Sequence, residues 1–217
     1  MMTASNKDSL MSAAKGALVF LLLLLCLLAA QVFLVSAALY FSKQQDASIE
    51  QPTNAWLDLA ELISVSNPEV LHTRANFLRQ KALLPEFRDQ RTALLQQALT
   101  LWGRAAEIRP LWPYYWLSEL NTMVLLDTDA LVFQAQVEQI IQLAPNERGL
   151  DKQFLELAFY DWDKLTAEQQ QWMLDRLAIV PGGTFNYVFS VAKKFNKQSV
   201  ICTRLPYKKV KRICRAR

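Results

Sequence analysis

The amino-acid sequence predicts an all-α protein: a long apolar helix near the amino terminus, then a stack of helical hairpins and a basic carboxyl-terminal tail. Three observations carry that prediction. Residues Ala17–Phe41 hold no charge, and their only polar side chains are Gln31 and Ser36. Glycine (5) and proline (8) are scarce while Leu, Ala, Gln and Glu recur, a mix that favours helix over strand. Beyond the apolar run, prolines close helical patterns at nearly even intervals, at Pro110, Pro145 and Pro181.

Residues 1–16 read as a cytoplasmic amino-terminal segment and 17–41 as a transmembrane helix. At a helical rise of 1.5 Å per residue the run reaches about 37 Å, enough to cross a hydrocarbon core of about 30 Å with some tilt. Val35-Ser36-Ala37 would suit a signal cleavage site, but the run is longer than the core of a cleaved signal. Leu25 before Cys26 does not suit a lipoprotein signal, so Cys26 reads as a lipid-facing or packing thiol and the run as a retained signal anchor. Lys7 and Lys15 precede the run; Lys43 follows it, with Asp46 and Glu50 beyond. That bias places the amino terminus in the cytoplasm and the rest across the membrane, the periplasm in a bacterium with two membranes. Partners of the anchor are inner-membrane lipids.

A linker over 42–53 and a helix near 54–64 come next. The hairpin domain, 54–181, follows from self-similarity. Eight residues before the three prolines stand Trp102, Val137 and Met173; four before, Ala106, Ile141 and Leu177; two before, Ile108, Leu143 and Ile179. Ten after Pro68, Pro110 and Pro145 stand Leu78, Leu120 and Leu155. One apolar stripe on each second helix and an apolar contact on each first helix are expected. The hairpins are 68–84 with 89–108, 113–126 with 129–143, and 147–161 with 166–179. A proline-closed unit of about 34 residues is the tetratricopeptide pattern. Ala98, Trp102, Ala105, Pro110 and Trp116 take its places best; the loop Leu84–Arg88 is enlarged, and Asp151 stands where Trp116 stands one unit earlier. Asn67-Pro68-Glu69 and Thr166 with Gln169 read as helix starts. Pro181-Gly182-Gly183 ends the array.

The tail, 182–217, is basic and amphipathic. The chain's net charge of +4 hides ten Lys and Arg and no acid from Lys193 to Arg217, leaving 14 basic against 20 acidic residues elsewhere, a net −6. Lys208, Lys209, Lys211, Arg212 and Arg215 form the candidate electrostatic surface, for anionic headgroups or an acidic glycan; the plainer reading is a cap ending in a solvated basic segment. No nucleic-acid partner is expected of a translocated domain. Cys202 and Cys214 form a possible disulfide in an oxidising compartment, or are two separate thiols.

Trp112, Tyr114, Tyr115 and Trp116 are the candidate binding residues, because aromatic faces and phenol hydroxyls stack on and hydrogen-bond to sugars or partner side chains; the alternative is that Trp112, Tyr115 and Trp116 pack the joint between hairpins, with Pro113 opening the next helix. Asp161 and Asp163 flank Trp162 at a turn, close enough for acid–base or cation chemistry, but read more simply as solvated loop residues with Asp163 or Thr166 capping the next helix. His72 stands alone. No catalytic residue, metal-ligand set or cofactor motif is recognised, so no cofactor and no enzyme activity are expected.

The order of these parts, with Arg109-Pro110-Leu111-Trp112-Pro113-Tyr114 and the Asp161-Trp162 turn, resembles the VpsP family of single-span bacterial exopolysaccharide-biosynthesis proteins. The resemblance covers roughly residues 10 to 180 and brings no catalytic residue. It implies a membrane-anchored adaptor or scaffold in making or exporting a biofilm-matrix polysaccharide, working by binding among the proteins of an assembly complex. A general cell-envelope assembly factor or chaperone is the alternative.

Overall fold

A computed structural model describes residues 4–44, 53–64 and 66–214, with residues 4–14 by backbone alone. The Lys7 side chain, Asp46, Glu50, Arg215 and linker residues 45–52 lie outside the described residues. Among the described residues there are α-helices and no strands. They are α1 (Ala4–Ser42), α2 (Ala55–Ile63), α3 (Pro68–Ala82), α4 (Arg91–Ile108), α5 (Pro113–Leu125), α6 (Ala130–Leu143), α7 (Asp151–Tyr160), α8 (Ala167–Ile179), α9 (Gly182–Lys194), α10 (Gln198–Arg204) and α11 (Tyr207–Val210).

α1 runs unbroken for 39 residues, and its Lys15–Ser42 segment is long and apolar enough to cross a membrane. Its side chains from Leu18 to Leu34 are exposed, and Cys26 is a free, exposed thiol. Then the pattern changes. Val35, Ala38, Leu39 and Ser42 are buried at i, i+3, i+4 and i+7 spacing, and the three apolar ones pack on Leu57, Ala60, Val70 and Phe77. The Gln31 side chain donates to the Ile63 carbonyl (3.0 Å), and Asn54 donates to the Ser42 carbonyl (2.9 Å). Phe41 and Trp56 stack at 5.0 Å. α1 and α2 therefore form an antiparallel pair. This corrects the expected boundary: the last turns of the apolar helix belong to the core of the folded domain, which does not begin at residue 54. A continuous apolar run cannot reveal the change, because lipid and a protein core select the same side chains.

Three hairpins follow as expected, α3/α4, α5/α6 and α7/α8. Asn67 caps α3 through the Glu69 amide (2.9 Å), and Thr166 with Gln169 closes a capping box on α8. The enlarged first loop is a 3₁₀ turn, Pro85–Gln90. Trp102, Val137 and Met173 are completely buried, as are Leu120 and Leu155. The residues two before each proline do not join them: Ile108 and Ile179 are 43% and 71% exposed, and Leu143 is half-buried. The reason is geometric. Positions two residues apart lie about 200° apart around a helix, so this place faces away from the stripe.

Asp151, the residue that breaks the repeat pattern, is buried and ion-paired to Arg176 at 2.5 Å; Arg176 also donates to the Pro145 carbonyl (3.1 Å). The pair ties α8 to the turn before α7. The carboxyl-terminal region is no loose tail. Phe185, Val188, Ala192, Ile201, Leu205 and Val210 are buried in the main core, which runs from α5 to α11, and Cys202 and Cys214 are disulfide-bonded. The domain thus extends through residue 214. Smaller separate clusters hold α1–α4.

Alternating helix directions give the stack two edges. One gathers the turns before α3, α5, α7 and α9, together with the Gln31 level of α1. The other gathers the loops after α3, α5, α7 and α9. Contacts along the first edge join Glu69 to Arg109 (3.5 Å) and Tyr115 (2.7 Å), Tyr114 to Glu147 (3.3 Å), and Val180 to Lys209 (2.9 Å).

Candidate functional site

The aromatic segment divides in two. Tyr115 is buried, with its hydroxyl donating to Glu69, and burial together with that carboxylate raises its pKa. Trp116 is partly buried at the joint between hairpins and donates its indole N–H to the Pro110 carbonyl (3.0 Å). These two pack the joint. Trp112 and Tyr114 are different: their rings meet at 5.3 Å, Trp112 is 46% exposed, and Tyr114 is half-buried against the main core. Pro113 at the first position of α5 fixes the backbone between them.

Trp112 and Tyr114 line an open groove of about 560 Å³ closed on its other side by Leu143, Pro145, Asn146 and Glu147. Glu147 Oε1 accepts from both Tyr114 Oη (3.3 Å) and the Gly149 amide (2.9 Å). A Cβ at 149 would collide with the Tyr114 hydroxyl and the Glu147 carboxylate, so glycine here lets those two side chains meet. Past Gly149 lies a second groove of about 470 Å³, lined by Asn121 of α5, Lys152, Gln153 and Glu156 of α7, and Tyr187 of α9. The Lys152 ammonium sits 4.3 Å from the Tyr187 ring centre, and the hydrogen bond to Glu156 raises the Tyr187 pKa. Two aromatic faces in the first groove, and amides, a carboxylate, an ammonium and a phenol in the second, suit polyhydroxylated or polar peptide ligands. Sequence reasoning found the aromatic groove and missed the polar one. Its signal was present: Asn121 and Glu156 both stand eleven residues after a repeat proline.

The remaining candidates have structural partners. Asp161 and Asp163 each hold a lysine, Lys164 at 3.2 Å and Lys197 at 2.5 Å. Trp162 between them is buried and stacked on Phe159 at 4.7 Å. The Asp161 side chain is only 14% exposed, so it is not the solvated loop residue expected, and Thr166 rather than Asp163 caps α8. His72 packs edge-on against Trp102 (4.5 Å), and burial lowers its pKa to about 4. Its Nδ1 has no hydrogen-bond partner and stands by a polar cleft of about 360 Å³ lined by Lys43, Asn54, Thr73, Asn76 and Gln80. Lys208, Lys211 and Arg212 are exposed; Lys209 donates to Val180 and lies 5.1 Å over the Phe185 ring. Among the described residues no His, Cys, Asp or Glu group has the arrangement to hold a metal ion.

Comparison with family models, with curated proteins and with solved structures finds no match to this chain.

Proposed function

We propose that this protein is a membrane-anchored helical-repeat adaptor for assembly or export of a bacterial exopolysaccharide, holding a glycan or a partner protein at the two neighbouring grooves that Trp112 and Tyr187 line and acting by binding. The observation that carries the reading is the aromatic pair Trp112–Tyr114 in one open groove, with a separate polar groove past Gly149 lined from three successive first helices, α5, α7 and α9. Stacked aromatics hold sugar rings by their faces while amide and carboxylate groups hold hydroxyls. The apolar α1 supports anchoring as a single-pass protein in an inner membrane with the amino terminus in the cytoplasm. The Cys202–Cys214 disulfide supports an oxidising compartment for the domain. The resemblance in Arg109–Tyr114 and in the order of parts supports the exopolysaccharide assignment.

The test is complementation of a deletion strain with full-length protein carrying Trp112→Ala and Tyr114→Phe. Neither side chain belongs to the buried core, so the variant is expected to reach wild-type abundance and to lose matrix polysaccharide selectively. Wild-type matrix would remove the groove from the reading. Broad envelope defects on deletion, with matrix sugar affected only among them, would favour a general assembly factor instead.

A further inference from the structure

The packing of α1 fixes how the hairpin stack stands relative to anything α1 crosses. α1 is unbroken, its Val35–Ser42 turns are locked into the domain, and Gln31 is bonded to the end of α2. Chain direction then brings the second helix of each hairpin back toward the Gln31 edge: α4 ends at Ile108, α6 at Leu143, α8 at Ile179. At that level the turns present Leu62 (82% exposed), Leu111 (81%) and Ile179, with Tyr207 and Lys208 at the far end, beside the Lys209–Val180 contact. Exposed leucines also occur at the opposite edge, at Leu83 and Leu131, so exposure alone does not choose between the edges. α1 does, because its exposed apolar segment continues from the Gln31 edge only.

Charge fixes the depth. Asp58 and Glu61 on α2 pair with Arg74, alongside the upper turns of α1, and such a group cannot sit in hydrocarbon. The hydrocarbon boundary therefore lies at or below the end of α2. About twenty residues, the number a core of about 30 Å requires, counted back from Gln31 reach Ser12. Lys15 is then about one turn inside the opposite boundary, from which its long side chain reaches the headgroups.

We infer that the turn edge of the stack rests on the bilayer that α1 crosses, with Leu62, Leu111 and Ile179 in the headgroup–acyl boundary and the exposed Lys208 facing lipid phosphates. The anchor is then a helix plus a surface, and the Trp112–Tyr114 groove opens beside the membrane. This inference rests on the reading of α1 as a span; it does not depend on what the groove binds.

The experiment places nitroxide labels on full-length protein in nanodiscs of phosphatidylcholine and phosphatidylglycerol and compares relaxation by oxygen with relaxation by a water-soluble nickel chelate. Cys26 reports on the span. In a Cys26→Ser background, with the disulfide intact, single labels follow at L111C, I179C, L83C and L131C, all exposed positions. The oxygen-to-nickel ratio is expected to be highest at 26, and at 111 and 179 to exceed that at 83 and 131 several-fold. A lipid-shielded residue 26 with 111 and 179 as open to nickel as 83 overturns the surface docking while leaving the span intact. Nickel access at 26 overturns both. Spin–spin broadening at 111 would mean that a second copy covers this edge, which also overturns the inference.

Discussion

The two halves of the stack are built differently. From α5 to α11 one contiguous core includes Phe133, Phe159, Met173 and Leu177 at its centre, reinforced by the Asp151–Arg176 pair and the Cys202–Cys214 disulfide. From α1 to α4 three small clusters replace it; buried polar atoms without partners occur in both halves, at His72 Nδ1 and Trp102 Nε1 here and at Arg176 Nη2 in the far half. The far half can bury its apolar faces within itself. The near half cannot, and completes its core with the last turns of α1. A helical array is stable only as far as each unit finds a neighbour, and here the neighbour of the first hairpin is the end of the apolar helix.

That contrast predicts two cooperative units with different opening free energies, which hydrogen exchange on the full-length protein resolves region by region. The largest effect is expected for Asp151→Ala, which leaves the Arg176 guanidinium buried without its carboxylate. A loss of about 3–5 kcal/mol is expected in α5–α11, with α3 and α4 little changed. Equal loss in both halves would show a single unit. Leu57→Ala opens a cavity where α1, α2 and α3 meet, and a loss of about 2–5 kcal/mol confined to α1–α4 is expected.

A smaller effect comes from pH. His72 is neutral in the fold with its pKa lowered to about 4 by burial, against 6.5 in the unfolded chain. The unfolded chain thus binds more protons between these values, so stability rises with pH from about 4 to about 6.5 and is flat above. The size is at most about 3–4 kcal/mol, since one unit corresponds to about 1.4 kcal/mol. Guanidinium titrations at pH 5 and pH 7.5 should show the loss in α3 and α4, and His72→Gln should flatten it. The smallest effect is Thr166→Ala, about 1 kcal/mol and local to α8 through the lost cap, read as faster exchange in its first turn.

Much of the fold was legible. The hairpins α3/α4, α5/α6 and α7/α8, their caps, and the buried places of Trp102, Val137 and Met173 follow from spacing and from a few capping residues. Pattern failed where one residue type serves two environments. Val35, Ala38 and Leu39 look like lipid-facing residues because both lipid and a protein core exclude water. The cap reading of the carboxyl-terminal region was legible, since Phe185, Val188 and Ala192 stand at helical spacing; how far the core continues beyond them, through Ile201, Leu205 and Val210, was not. Half of the aromatic site was legible too: Trp116 fitted an apolar repeat place, whereas nothing in the sequence separated exposed Trp112 from buried Tyr115, which depends on which way the α4–α5 turn faces.

By itself the sequence determined helicity, the apolar helix and the repeat length, because these rest on local propensity and periodicity within a few turns. Tertiary structure alone decided that the apolar helix ends inside the domain, that Asp151 finds Arg176, and that Tyr114 reaches Glu147 past Gly149. Those outcomes join residues 25 to 33 positions apart or more, and no local rule relates such pairs until packing brings them together.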